Sequence, residues 1–178
     1  MKILIIGADG QLGHSLFNLL KGEIYGTFYD VLSDNLVHLD ISNADEVNDV
    51  ILKIKPSVVI NTAAMTHVDK CELSPEIARR INVDGVKNVF EACEKFKAKL
   101  VYISTYYVFD GKKCYYKEDD KTSPLNEYAK TKLEGENIAL SNKNFLVIRP
   151  SKIYSLGYDK KNFLARLVDK LKNNEEIE

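Results

Sequence analysis

The chain's 178 residues suffice for one domain, or for one domain and the start of another. With 45% hydrophobic and 29% charged residues it has an ordinary globular composition, and a formal net charge of −1 removes any electrostatic case for nucleic acid or an anionic membrane. The 3 cysteines, Cys71, Cys93 and Cys114, lie far apart without a CxxC pair, which argues against a disulfide framework or a zinc site and for a reducing cytoplasm.

Strand-length apolar runs then alternate with segments of helical period. Lys2–Ile6 reads as a buried strand, too short for a signal or membrane segment. Gln11–Leu20 follows as a helix with Leu12, Leu16, Leu19 and Leu20 on one face. Ile24–Phe28 is a second strand. Ala44–Ile54 is a helix, with Ser42 and Asp45 spaced as a capping box, and Ser57–Asn61 is a third strand. Ser74-Pro75-Glu76 starts a helix whose pattern runs on to Phe96. After it come a strand at Leu100–Ser104, a helix at Glu127–Leu140, a strand at Phe145–Ile148 and a helix at Asn162–Leu171. His67 is expected in a loop, and Lys117–Lys121 as a solvated charged loop. Unbroken apolar strands separated by helices predict an α/β fold: a Rossmann-type, doubly wound parallel sheet with helices on both faces. No strand pattern follows the last helix, so the alternation ends incomplete.

Gly7-Ala8-Asp9-Gly10-Gln11-Leu12-Gly13 falls between the first strand and the first helix. Glycines there permit a tight turn and close approach of backbone to a pyrophosphate, which the free N–H groups of the helix start then stabilise. The spacing is GxxGxxG rather than GxGxxG. Asp30, just past the second strand, is either a ribose-binding acid or a turn residue. Asp40-Ile41 suits an adenine contact, although Asp40 could equally belong to the cap of the following helix.

Tyr128 and Lys132 stand four apart, and so on one face of their helix. Reduction of a ketone leaves an alkoxide that must be protonated as it forms, and a phenol can supply that proton. A neighbouring ammonium is expected to lower the phenol's pKa from its usual ~10. Ser104 and Thr105, at the end of the fourth strand, offer a hydroxyl to the carbonyl oxygen.

Three longer stretches carry a resemblance. Asn61-Thr62-Ala63-Ala64-Met65-Thr66-His67-Val68-Asp69-Lys70-Cys71-Glu72 is similar to a segment NxAAxTxVDxxE. Ser104-Thr105 with Tyr107-Val108-Phe109-Asp110-Gly111 resembles STDYVFDG, and Pro124–Glu136 resembles PLNxYGxxKxxGE. All three belong to the dTDP-4-dehydrorhamnose reductase family of extended short-chain reductases. The resemblance implies a cytoplasmic NADPH- or NADH-dependent oxidoreductase of dTDP-L-rhamnose biosynthesis, acting on a nucleotide sugar. It implies Tyr128 as proton donor, Lys132 as its partner and ribose contact, and Thr105 as orienter of the keto oxygen. It further places Gly10, Gln11 and Leu12 at the pyrophosphate, beside the loop glycines Gly7 and Gly13 already read as cofactor-binding, and Ala64, Met65 and Thr66 along the cofactor; packing at a strand end is the competing account of Ala64 and Met65.

The departures are specific. Tyr106 replaces the family's aspartate in STD, and Lys152 replaces its tryptophan after Arg149-Pro150-Ser151, both at the substrate side. Ser15 stands where some members carry a magnesium-linked glutamate, so no metal is expected. Members continue for roughly another hundred residues. The resemblance therefore implies residues 1–155 as the NAD(P)-binding domain and 156–178 as the start of a substrate-binding segment that is otherwise missing. Such a chain is expected to bind cofactor without reducing a sugar alone, and to associate with a second copy across an open sheet edge. A second reading is a catalytically idle dinucleotide-binding module, like the regulatory subunit of methionine adenosyltransferase.

Overall fold

A computed structural model describes residues 1–30, 35–154, 163–173 and 175–176. The strands are β1 (Lys2–Ile6), β2 (Glu23–Phe28), β3 (Val37–His38), β4 (Val58–Asn61), β5 (Lys99–Ile103) and β6 (Leu146–Ile148). All described pairings are parallel, in the order β3-β2-β1-β4-β5-β6. The expected Rossmann-type sheet is therefore what the chain forms.

The sheet is buried on both faces because β1 alternates between two cores, as a pleated strand must. Ile3 and Ile5 pack under α1 (Gln11–Leu19), with Leu16 and Phe17 against them. Leu4 and Ile6 join the larger core, which α2 (Ala44–Ile54) enters through Val47 and Ile51 and α5 (Gly85–Phe96) through Val86 and Val89. The order reverses at β1, whose neighbours are β2 and β4. A crevice outside the carboxyl ends of β1 and β4 follows from that reversal.

Several local readings are corrected. Asn43, not Ser42, caps α2: its side chain accepts from the Asp45 and Glu46 amides, and its Nδ2 donates to Glu46. An asparagine side chain one residue nearer the helix reaches the first-turn amides that Ser42 cannot. A short helix α3 (Val68–Leu73) precedes α4 (Pro75–Arg79), and His67 caps it by accepting from the Lys70 amide, so it is more than a loop residue. The pattern from Pro75 to Phe96 is interrupted by a π-helical turn at Arg80–Asp84. Residues 117–121 are not merely solvated, since the Lys117 amide donates to Asp120 and the Glu118 carbonyl accepts from Arg149.

α6 (Glu127–Leu140) is capped by Asn126, which accepts from the Ala129 amide. The last helix, α7, runs Phe163–Lys172. The expected start at Asn162 and the expected boundary at 155/156 lie outside the described residues.

Candidate functional site

The chain leaves β1 at Gly7, whose φ of 80° favours glycine. The Gly10 amide donates back to the Gly7 carbonyl at 3.0 Å, and the Thr62 hydroxyl clamps the Ile6 and Gly7 carbonyls at 2.7 and 3.0 Å. A Cβ on Gly13 would stand 2.1 Å from the Gly7 oxygen, so the loop can lie flat on α1 only with glycine there. Gly10 is the N-cap of α1 and contributes no side chain. The first-turn amides of this helix are thus left for another acceptor. Gln11 reaches across the crevice, donating from Nε2 to the Ile153 carbonyl at 3.1 Å.

On the β2 side, the Asp9 carboxylate accepts from the Tyr29 and Asp30 amides at 3.0 and 3.3 Å. Asp30 itself is exposed. Asp40 lines the crevice, and its Oδ1 accepts from the Ser42 amide at 2.8 Å, within the turn that leads to α2. Ile41 is buried against Gly85.

The segment after β4 is held by a residue that sequence reasoning passed over. Asn82, fully buried in the π-helical turn, accepts from the Met65 amide at 2.8 Å. Its Nδ2 donates to the Met65 carbonyl at 3.0 Å and to the Thr131 hydroxyl at 3.1 Å. One amide group thereby fixes Ala64-Met65-Thr66 against α6. Nothing in the sequence marks Asn82, because its role depends on the helix widening at that turn.

Thr105, Tyr128 and Lys132 are brought together at the end of β5, each almost fully buried. Thr105 Oγ1 accepts from the Tyr107 amide at 3.2 Å. Lys132 donates to the Ile103 carbonyl at 2.7 Å and lies 4.2 Å from the centre of the Tyr102 ring. Burial depresses its pKa to about 7, against an opposing pull from Glu136 one turn along the helix. The expectation that Tyr128 would have a lowered pKa is not met. Burial raises it, the neighbouring Thr105 opposes that only in part, and the ammonium is directed to Ile103 and Tyr102. Ser104 Oγ is buried and has no partner among the described residues.

All the residues expected at a cofactor, from Gly7 to Lys132, line one cleft of about 820 Å³. Thr62, Asp9 and Arg80, which were given no role from sequence, line it too. Tyr106 and Lys152 do not. Tyr106 stacks on Tyr107 at 4.6 Å and lines a second cavity of about 760 Å³ between β6, α6 and residues 107–118, and Lys152 is exposed outside both.

Comparison with known proteins gives a consistent picture. The family model described as RmlD substrate binding domain matches residues 1–178. A dTDP-4-dehydrorhamnose reductase from Aggregatibacter actinomycetemcomitans is 39% identical over 98% of this chain and 58% of its own length. Methionine adenosyltransferase 2 subunit beta from Xenopus tropicalis is 36% identical over 86% of this chain and 47% of its own. The crystal structure of a dTDP-4-dehydrorhamnose reductase from Bacillus anthracis in complex with NADP superposes with a TM-score of 0.89 at 34% identity, over 99% of this chain and 61% of that one. The chain thus spans about half the length of the curated relatives it matches.

Proposed function

We propose that this chain, which belongs to the RmlD substrate binding domain family, is the dinucleotide-binding part of a reductase acting on the keto group of a nucleotide-linked sugar. NADPH or NADH is the reductant in this reading. The observation that carries it is the convergence of buried Thr105, Tyr128 and Lys132 in the same cleft as the Gly7–Gly13 loop.

The residues fit such a group. Gly7 and Gly13 keep side chains out of the space beside the loop, α1 presents uncapped amides, and a pyrophosphate is the anion those amides suit. A bound nicotinamide supplies the hydride. Tyr128 holds the proton that the new alkoxide takes: its O–H bond breaks and an O–H bond forms on the sugar. A phenol whose pKa is raised by burial stays protonated at neutral pH, which suits donation in the direction of reduction. Thr105 orients the oxygen. Lys132, held at the Ile103 carbonyl, would face the ribose and change its protonation state near neutrality. Tyr106 and Lys152 belong to the sugar side of this reading, outside the dinucleotide cleft. No described helix is long and apolar enough to cross a membrane. Association with a second copy, read by light scattering, completes the proposal.

The relative among methionine adenosyltransferase beta subunits favours a second reading, a regulatory module that binds dinucleotide without turnover. Calorimetry with NADH and NADPH, followed by a nicotinamide absorbance assay with dTDP-4-dehydrorhamnose in a chain extended by the C-terminal segment of the Aggregatibacter relative, separates the two. Consumption abolished by Tyr128→Phe supports the reductase, and binding without consumption supports the module. Absence of binding by a folded chain overturns both.

A further inference from the structure

NADPH differs from NADH by a phosphate on the adenosine ribose, and the end of β2 is where that ribose lies in a dinucleotide cleft of this topology. A phosphomonoester carries about −1.5 to −2 charges near neutrality and needs donors around it. Among the described residues, the main-chain donors just past that strand end are the Tyr29 and Asp30 amides. Both already donate to a carboxylate, Asp9 Oδ2, at 3.0 and 3.3 Å. A 2′-phosphate approaching this corner would find its amides taken, and an anion where it needs a cation. Asp30 adds a second carboxylate to the same wall of the cleft.

The remaining charged groups do not reverse this balance. Glu46 accepts from the Asp40 amide, and His38 lies 3.7 Å from Glu46 and faces the Tyr29 ring. Asp40 is engaged with the Ser42 amide. Among the described residues the cations lining the cleft are Arg80 and Lys132. Lys132 is held at the Ile103 carbonyl, and Arg80 belongs to the π-helical turn that Asn82 ties to α6. A ribose hydroxyl, in contrast, is a donor and finds an acceptor in the exposed Asp30 carboxylate.

We infer that the cleft selects NADH over NADPH, with Asp9 and Asp30 as its specificity-determining residues, Asp9 acting by closing the amide corner to phosphate. The inference rests on the dinucleotide reading of the cleft. It also sets this chain apart from the relative solved in complex with NADP.

The test is calorimetric titration of the chain with NADH and with NADPH, repeated for Asp9→Asn and Asp30→Asn. NADH should bind at least about tenfold tighter, a difference of ~1.4 kcal/mol. Asp9→Asn keeps an oxygen acceptor for both amides but removes the charge, and should narrow the ratio mainly by strengthening NADPH. Asp30→Asn, at an exposed position that leaves folding intact, should narrow it mainly by weakening NADH. Equal or tighter binding of NADPH by the parent overturns the inference while leaving the dinucleotide reading standing. So does an unchanged ratio in both variants, or a preference for NADPH that disappears in Arg80→Met. Should Asp9→Asn fail to fold, the Asp30→Asn ratio decides alone. A folded parent that binds neither dinucleotide overturns the dinucleotide reading itself.

Discussion

Two cavities of nearly equal size, about 820 and 760 Å³, flank α6 and are built by different means. The first is shaped by main chain: a glycine turn, carbonyls clamped by Thr62, and a strand end held by the Asn82 amide. The second is shaped by side chains. Arg149 from the end of β6 grips buried Glu136 with two of its nitrogens, donates to the Glu118 carbonyl and lies 5.1 Å from the Phe109 ring centre, which stacks on Tyr116. Its rim is apolar and open, with Leu125 and Ile148 exposed at 70% and 42%. A main-chain site keeps its shape when a side chain beside it is trimmed, so damage there should appear in ligand and turnover. A side-chain site fails by losing the fold around it.

The largest effect should come from the first cavity. Tyr128→Phe, in the extended chain described above, should lower turnover by about two to four orders of magnitude, the range for loss of a general acid. Dinucleotide affinity and melting temperature should stay near parent values. Unchanged turnover would show Tyr128 to be a packing residue.

The second cavity should answer in stability. Arg149→Met leaves Glu136, 1% exposed, as a buried charge without its partner. Breaking such a pair costs about 3–5 kcal/mol, measurable by urea unfolding. If affinity for dinucleotide falls more than stability does, the two cavities are not separate in the way described.

Gly13→Ala should behave differently again. The added methyl would overlap the Gly7 carbonyl, and overpacking of this kind costs typically about 1–3 kcal/mol. Since the displaced group is the loop itself, dinucleotide binding should be lost at temperatures where the protein remains folded. Retained binding would mean that the loop can open without cost.

The smallest effect lies in pH dependence. The folded chain holds Lys132 near about 7, whereas the unfolded chain holds it at 10.5. Between those values the unfolded state binds the extra proton, so stability rises with pH from about 7 upward. Buried Cys93, pushed up to about 12, acts with opposite sign once the unfolded thiol ionises above about pH 8.5. In urea titrations from about pH 7 to 8.5, Lys132→Met should therefore flatten the rise seen in the parent. An identical slope in the two proteins would place Lys132 in water rather than in the core.

Legibility in the sequence followed the same division. The main-chain cleft could be read because its parts are local: glycines at fixed spacing after an apolar strand, and a tyrosine and lysine one helical turn apart. The resemblance then supplied Ala64 to Thr66, which composition alone would not have marked. Features made by distant residues were not legible. β3 has 2 residues and no run to recognise, and the π-helical turn sits inside an unbroken helical pattern. Asn82 bonds partners 17 and 49 residues away. Asp9 stood in plain view between two glycines, yet its partners lie at the end of another strand. The direction of the Tyr128 pKa shift is not legible either, because four-residue spacing puts a lysine on the same face without fixing where its ammonium points.

The central claim is that the Gly7–Gly13 loop and α1 form a dinucleotide site, and titration calorimetry of NADH into the parent chain and into Gly10→Val tests it most directly. A Cβ at Gly10 already lies 3.3 Å from the Gly7 oxygen, and the branched side chain would extend into the space in front of the α1 amides. The account predicts saturable binding by the parent and none by the variant, with both folded by circular dichroism. A folded parent that takes up neither NADH nor NADPH, or a variant that binds as tightly as the parent, would contradict it.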